Sequence, residues 1–141
     1  MVSSSSKHAT SRIRPRIVFA NGSWWLNDPD RERNLRLDAT IDQCGWNVGR
    51  LCRDLAIGKR TFSRLVEECV GITSKRWLRE IRIVAAGHLL REGCKIETVS
   101  QTLSFRHVPD FTREFKKLVG VSPSSFIKAE HSRSTGYQLA S

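Results

Sequence analysis

Apolar side chains recur every three or four residues along most of the chain after Gly45, which is the spacing of helices that bury one face. Asn47 is a good N-cap for a short helix of about two turns, which closes at Gly58. A second helix is predicted from Lys59 to Val70, and a longer one over residues 73–92. The expected inner stripe of the longer helix consists of Trp77, Leu78, Ile81, Ala85 and Leu89.

The pattern then repeats. Residues 62–71 read FSRLVEECVG and residues 111–120 read FTREFKKLVG, at an offset of 49, whereas the preceding short helix recurs at an offset of 48 from Ile96 onward. The second turn is therefore one residue longer, and Ser122-Pro123 opens a last helix as Thr73-Ser74 opens the long one. Because no alternating strand pattern or hairpin pair occurs in this region, we predict an all-α fold of two helix-turn-helix lobes joined by a long linker helix.

The first 45 residues carry weaker signals. Residues 1–16 are rich in Ser and basic side chains, which predicts a disordered tail; an arm that contacts DNA phosphates or the minor groove is the alternative. Residues 17–45 are interpreted as an N-terminal extension with a short extended piece and one helix over about residues 31–43. We expect Trp24 and Trp25 to pack on the first lobe, and a partner surface is the alternative.

These signals give the domain organisation. The double helix-turn-helix domain spans residues 46–128, and residues 129–141 are expected to be a flexible C-terminal tail. A chain of 141 residues is too short for a large internal catalytic cavity. The parts of the domain are a first lobe at 46–72, the linker helix at 73–93 and a second lobe at 94–128.

The charge is strongly basic and unevenly placed. The formal net charge is +10, and residues 46–128 hold 16 basic and 8 acidic side chains, which is +8 of that total. Such a field favours a polyanionic partner, either nucleic acid or a membrane surface. Because no apolar stretch approaches 18 residues, and the longest near the start is residues 17–20, we expect a cytoplasmic protein without a membrane partner.

In each repeat, the polar N-terminal half of the second helix carries side chains that suit DNA. A protruding helix fits the major groove, where guanine displays two acceptors to which one Arg can donate. Helix N-termini also favour phosphates through their free backbone N–H groups. A single exposed Arg is usually only solvated, but the recurrence of Arg64 as Arg113 favours contact with DNA. The candidates are Lys59, Arg60, Ser63 and Arg64 in the first copy and Thr112, Arg113 and Lys116 in the second.

The linker length agrees with two reading positions. A helix of 18 residues spans about 27 Å, and successive major-groove segments on one face of B-DNA lie about 34 Å apart. One chain can then do what many repressors do as dimers. In that role Trp77, Ile81 and Ala85 are expected to be core residues.

Residues 47–128 resemble the AraC/XylS-type DNA-binding domain of bacterial transcription regulators. The matching residues occur in order along the domain, which makes the signal more specific than a lone helix-turn-helix. They are Leu55-Ala56, Phe62-Ser63-Arg64 and Gly71 in the first lobe, Trp77-Leu78, Arg82, Ala86 and Leu89-Leu90 in the linker, and Ile96, Phe105, Phe111-Thr112-Arg113, Phe115-Lys116, Gly120-Val121-Ser122-Pro123 and Phe126 in the second lobe.

The resemblance implies two helix-turn-helix lobes bridged by a long helix, and it assigns base-facing positions to both recognition helices. By position these are Arg60, Ser63 and Arg64 in the first and Val108, Pro109, Thr112 and Arg113 in the second.

The second lobe departs from the family pattern. Ser104 stands where glycine is usual, so the turn has to bend without glycine's freedom, and Ser100 replaces the usual alanine. Val108 and Pro109 offer no side-chain hydrogen bond to a base, although Val108 can touch a thymine methyl group. Glu67-Glu68 of the first copy become Lys116-Lys117 of the second, so we expect the first helix to carry most of the specificity and the second more of the phosphate contacts.

Enzymatic readings fit the sequence poorly. Residues 56–61, AIGKRT, resemble the end of a phosphate-binding loop, but position 53 is Arg and no Ser or Thr directly follows Lys59. The H-E-x-x-H and G-x-S-x-G motifs are absent, and the four His lie far apart. The four Cys lack zinc-ligand spacing and are interpreted as reduced, mostly buried residues, which also argues against an alkyl-accepting repair protein. We therefore expect no catalysis, metal or cofactor.

We interpret the chain as a sequence-specific DNA-binding transcription regulator. Its expected partner is double-stranded DNA, with RNA polymerase as a further candidate. No small-molecule effector domain is evident, and the first 45 residues are too few for the usual one, so the chain is either a free-standing small regulator or part of a longer one. The alternatives are an architectural or recombination-accessory DNA-binding protein and a basic adaptor for acidic proteins, which salt dependence and footprint length distinguish.

Overall fold

A computed structural model of the chain describes residues 14–140. Most of the tail expected at residues 1–16 therefore lies outside the described residues. The chain divides into two compact units with the boundary between Trp77 and Leu78. The elements in chain order are β1 (Arg16–Ala20), β2 (Ser23–Asp28), a single 3-10 turn (Pro29–Arg31), β3 (Arg33–Arg36), α1 (Leu37–Gln43), α2 (Val48–Leu55), α3 (Lys59–Val70), α4 (Ser74–Arg91), α5 (Ile96–Thr102), α6 (Val108–Val119) and α7 (Pro123–Ala140).

The first unit opens with a three-stranded antiparallel sheet in the order β1-β2-β3. Asn21 and Gly22 form the two-residue turn between β1 and β2, with φ of 54° and 75°. A tight hairpin turn of this kind needs the left-handed conformation at both central residues, which Asn and Gly adopt most readily. The all-α prediction is therefore wrong for the N-terminal extension, although the chain as a whole is mostly helical.

The helix of the extension is shorter than predicted. It covers only Leu37–Gln43, because Arg33–Arg36 pairs with β2 as the third strand. Leu35 lies opposite Leu26 in this pairing, and exposure alternates along β3 with the two-residue period of a strand. The few residues of β3 do not distinguish this period from a helical one in the sequence alone.

Apolar residues of the sheet, α1, α2 and α3 form the core of the first unit. Trp24 packs edge-on against Trp77 with 5.2 Å between ring centroids, and Trp77 also lies 6.4 Å from the ring of Phe62. Trp24 thus joins this core as expected, whereas the indole of Trp25 donates to the carbonyl of Ala20 within the hairpin. The buried set includes Ile17, Leu26, Leu37, Ile41, Leu51, Leu55, Phe62, Val66 and Trp77.

The second unit has an aromatic core. Phe111 lies 5.2 Å from Phe105 and 5.7 Å from Phe115, and Phe115 lies 5.4 Å from Phe126. Val99 and Leu103 of α5 and its C-cap are buried in the same unit. These contacts pack the buried face of α6 and leave its opposite face in solvent.

The buried face of α4 differs in part from the predicted stripe. Trp77 and Leu78 are buried as expected, but Ile81, Ala85 and Leu89 are only half-buried. The prediction assumes one continuous face, whereas the helix is divided between two units, each with its own core. The residues buried in their place are Ile83, Ala86 and Leu90.

The end of the chain also differs from expectation. The last helix, α7, runs from Pro123 to Ala140, so residues 129–140 are helical where a flexible tail was expected.

The predicted helix starts are confirmed. Asn47 accepts a hydrogen bond from the backbone N–H of Arg50 at 2.9 Å, as an N-cap does. Thr73 and Ser122 accept equivalent bonds at 3.2 Å from residues three positions further along. The two longer helices of the pairs, α3 and α6, have 12 residues each and both end at a glycine in the left-handed conformation.

The first helix of each pair ends in the same geometry. Ala56 and Ser104, which are 48 residues apart, have φ of 56° and 64°. In the first turn, Ile57 N–H donates to the carbonyl of Cys52 at 3.0 Å, and in the second, Phe105 N–H donates to that of Ser100 at 2.9 Å. These bonds close the helix ends, and both require a left-handed residue. Ser104 therefore adopts the conformation of the glycine that it replaces.

An arginine side chain binds the last carbonyl group of the first helix in each pair. In the first unit, Arg33 Nη2 donates to the Leu55 carbonyl at 2.5 Å and Arg31 Nη1 to that of Ala56 at 2.7 Å. The buried carboxylate of Asp28 accepts from Arg33 Nε at 3.2 Å. Cationic side chains at helix C-termini satisfy carbonyl groups that lack a helical partner.

The second unit places a different arginine at the matching carbonyl. Arg82 Nε donates to Leu103 at 2.9 Å, and its guanidinium lies 3.7 Å from the centre of the Phe105 ring. Burial lowers the pKa of Arg82 from its very high ordinary value, an effect that the charge of Glu114 opposes. An arginine still keeps its charge in such a site.

The left-handed turn predicts the effect of Ser104→Gly. Glycine relieves a cost of about 1–2 kcal/mol for a side chain in this conformation, but it adds about 0.4–1 kcal/mol of entropy to the unfolded chain. We expect the free energy of unfolding to rise by up to about 1 kcal/mol in urea denaturation. Thr98→Gly, at an exposed position inside α5, is the control and should lower it. Equal losses from both variants would contradict the interpretation.

The arginine cap predicts a loss of stability in Arg33→Ala. This change removes a hydrogen bond from a largely buried cation to the Leu55 carbonyl and leaves Asp28 without its closest partner, which we expect to cost about 1.5–3 kcal/mol in urea denaturation. Arg36→Ala is the matched control on the same strand, because Arg36 makes only an exposed ion pair, with Asp38. A control variant as unstable as Arg33→Ala would rule out the cap as the cause.

Candidate nucleic-acid interface

The outward face of α3 carries the candidate residues of the first helix-turn-helix. Phe62, Leu65 and Val66 are buried and fix the opposite face of this helix, while Arg60 and Arg64 are exposed one turn apart. The helix begins directly after a three-residue turn, so its first turn protrudes with backbone N–H groups that have no helical partner. The fixed face gives the two arginines a rigid base.

Two other candidates of α3 make contacts within the protein. The hydroxyl oxygens of Ser63 and Ser74 lie 3.2 Å apart, so half-buried Ser63 ties α3 to the start of α4. The end of the Lys59 side chain lies against Gly49, where an added β-carbon would come within 3.5 Å of its Cε. Lys59 remains exposed to solvent and also crosses the start of α2.

The outward face of α6 carries the candidates of the second helix-turn-helix. Pro109 and Arg113 are exposed, and Val108 and Thr112 are half-buried beside them. Arg113 makes an exposed ion pair of 3.4 Å with Asp110, one turn earlier. Further along the same helix, the neighbouring residues Lys116 and Lys117 are exposed.

A salt bridge orients α6 within its unit. Arg79 Nε lies 2.8 Å from Glu114 Oε1, and both side chains are partly shielded from solvent. Together with buried Phe111 and Phe115, it fixes the rotation of α6 about its axis. The structure therefore groups all ten candidates on the two helices as predicted, four on α3 and six on α6.

Basic and hydroxyl side chains at other helix starts extend these faces and were not among the candidates. Arg106 and His107 are exposed in the longer second turn, directly before α6, and Arg50 is exposed in the first turn of α2. The one-residue difference between the two repeats already marks the second turn as the place where additional side chains enter.

The described residues offer no alternative chemistry. Within residues 14–140 no group of three His, Cys, Asp or Glu side chains is placed to hold a metal ion, and no helix there is long and apolar enough to cross a membrane. All four Cys are free thiols; Cys44 and Cys52 are buried and Cys94 is half-buried, whereas Cys69 is exposed, contrary to the expectation of burial. Burial raises the pKa of both Cys44 and Cys52, which keeps these two thiols protonated.

Comparison with known proteins agrees with this geometry. Residues 51–129 match a family model described as a helix-turn-helix domain. The virulence regulon transcriptional activator VirF of Yersinia enterocolitica is 30% identical over 81 residues, which are 57% of this chain and 30% of that protein. The crystal structure of the DNA-binding domain of AdpA, in complex with a target DNA, aligns with a TM-score of 0.58 at 22% identity, over 69% of this chain and 94% of that one.

A third relative extends beyond the helix-turn-helix pairs. The uncharacterized HTH-type transcriptional regulator YidL of Escherichia coli K12 is 28% identical over 116 residues, or 79% of this chain and 38% of that protein. A match of this length includes part of the N-terminal extension. The chain spans about a third of the length of the curated relatives that it matches.

The fold and the matches define a helix-turn-helix domain of the kind found in bacterial DNA-binding transcription regulators. The chain belongs to the AraC/XylS-type family, which is not normally enzymatic.

Proposed function

We propose that this protein is a cytoplasmic, sequence-specific transcription regulator that reads two successive major-groove segments of DNA, one with α3 and one with α6. The observation that carries the proposal is the duplicated helix-turn-helix, in which Arg64 and Arg113 stand exposed at matched positions of 12-residue helices. The AdpA domain in complex with its target DNA and the activator VirF support this reading by similarity.

The chemistry of the two faces suits DNA. A guanidinium group donates two hydrogen bonds to a guanine edge, and exposed Arg60 and Arg64 are one helical turn apart on a helix that a major groove accommodates. Because α3 and α6 are held by buried aromatic and aliphatic side chains, few degrees of freedom are lost when their outward faces bind. Preorganisation of this kind favours affinity and specificity together.

The length of α4 supports two reading positions. This helix has 18 residues and so measures about 27 Å, comparable with the ~34 Å between successive major-groove segments on one face of DNA. In this proposal residues 46–72 and 94–128 are the two DNA-binding lobes and residues 73–93 are the linker.

The two helices divide the work. Lys59 and Arg60 at the start of α3 are hydrogen-bond donors, whereas Val108 and Pro109 at the matching positions of α6 are not. Lys116 and Lys117 of α6 replace a pair of glutamates, which favours phosphate contacts there. We infer that α3 provides most of the base recognition and α6 more of the backbone binding, and that RNA polymerase is the further partner through which binding affects transcription.

Selection of bound duplexes from a random DNA pool tests the proposal. We expect recovery of a motif with two half-sites about one helical turn apart and a footprint of around 20 base pairs. An architectural or recombination-accessory protein would instead coat unrelated sequences, and an adaptor for acidic proteins would leave no footprint. Either result would overturn the proposal.

Arg64→Ala tests direct reading by α3. We expect binding to the selected duplex to weaken by about 1–3 kcal/mol and the preference to relax at one base position, because one bidentate contact is lost. Titration against a panel of single-base variants measures both effects. Arg36→Ala, which removes the same charge from an exposed position on β3, is the control; equal effects would show that only charge matters.

Lys116→Ala tests backbone binding by α6. We expect a similar loss of affinity for every duplex, and a fall of about 0.9 in the slope of log affinity against log salt concentration, because one phosphate contact is removed. Binding isotherms at several salt concentrations measure the slope. A loss confined to one sequence would instead make Lys116 a base reader.

A further inference from the structure

The first described residues lie on the outward face of α3. Arg14 Nη1 is 3.3 Å from Glu68 Oε2, and Glu68 follows Arg64 by four residues, which places the two side chains one turn apart on the same face of the helix. The side chains of Arg14 and Glu68 are 75% and 46% exposed. The N-terminal segment therefore meets the helix beside the residues that we assign to base reading.

The sheet fixes this position independently of the ion pair. Ile17 is 4% exposed, and its backbone N–H donates to Cys69 Sγ at 3.4 Å, so the start of β1 is held along the last turns of α3. An exposed ion pair alone contributes little to stability. Arg14 and Arg16, which flank this anchor at exposed positions, therefore remain near the end of α3 even when the ion pair with Glu68 opens.

The charge at this end of α3 is the reverse of that in α6. Glu67 and Glu68 occupy the positions that Lys116 and Lys117 hold in the second helix-turn-helix, and both pairs are exposed. Carboxylates at this place repel phosphates. Residues 1–16 carry four basic and no acidic side chains, and Arg14 brings this charge directly to Glu68.

We propose that residues 1–16 are a DNA-binding arm that contacts the phosphates beside the α3 segment of the site. The arm supplies to the first unit the positive charge that Lys116 and Lys117 supply to the second. Thirteen residues before Arg14 reach up to about 40 Å when extended, which exceeds the width of either groove. Glu68 pairs with Arg14 in the free protein, and phosphates replace it in the complex. This inference rests on the proposed function.

The triple variant Lys7→Ala, Arg12→Ala and Arg14→Ala of the full chain tests the arm. With the duplex recovered from the random pool, we expect about tenfold weaker binding at physiological salt and a fall of about 2–3 in the salt slope, at unchanged base preference. Hydroxyl-radical footprinting should show lost protection only of the backbone beside the α3 segment. Folding is checked by the urea midpoint, which we expect to be unchanged.

A second triple variant controls for total charge. Arg36→Ala, Lys128→Ala and Arg133→Ala remove three positive charges from exposed positions outside the proposed DNA-binding faces. An arm variant with the same salt slope and footprint as this control would overturn the arm while leaving the proposed function intact, and so would tighter binding by the arm variant. Failure of the unaltered protein to select any sequence would overturn the proposed function itself.

Glu68→Gln gives an independent test of the charge argument. Removing the carboxylate eliminates its repulsion of phosphates and its competition for Arg14, so we expect binding to strengthen by about two- to threefold at low salt and the gain to disappear at high salt. Weaker binding by Glu68→Gln would mean that the ion pair positions the arm for DNA and that phosphates do not replace it, which would overturn the exchange.

Discussion

The fold depends on how the first helix of each pair ends. At Ala56 and Ser104 the chain reverses within a single left-handed residue, and an arginine side chain binds the carbonyl group of Leu55 or Leu103 just before it. This turn sets the angle at which the second helix leaves, and hence which of its faces becomes buried. The candidate DNA-binding side chains project outward only because this geometry holds. A weakly closed turn would leave α3 or α6 free to rotate about its axis.

The two units obtain the capping arginine from different places. In the second unit it is Arg82 of α4, which lies next along the chain, but in the first unit it is Arg33, on a strand of the N-terminal extension. No element of the first helix pair provides it. The sheet is therefore part of the first DNA-binding unit in a physical sense, which agrees with the YidL match extending into it. Its role is to complete a helix end that the repeat itself leaves open.

The sequence predicts the repeated part well and the extension poorly, for physical reasons. Helix caps and amphipathic spacing are local, so Asn47, Thr73 and Ser122 identify helix starts correctly. The Asn21-Gly22 pair is an equally local hairpin signal, and it was available in the sequence. Contacts between distant residues have no such signal: nothing in the spacing indicates that Arg33 reaches Leu55 or that Ser63 meets Ser74. Site residues could be assigned to a face, but not the contacts that hold them.

The repeat separates what is fixed from what varies in this domain. Bonds that shape each pair recur at offsets of 48 and 49, down to the glycine at the end of α3 and α6, while the exposed residues between them change in charge and even in hydrogen-bonding ability. Since both helices stand on the same scaffold, their differences are differences in what they contact. A helix that starts with Lys59-Arg60 and ends with two glutamates binds bases near its start and needs phosphate-binding charge from elsewhere. A helix that starts with Val108-Pro109 and ends with two lysines carries that charge itself.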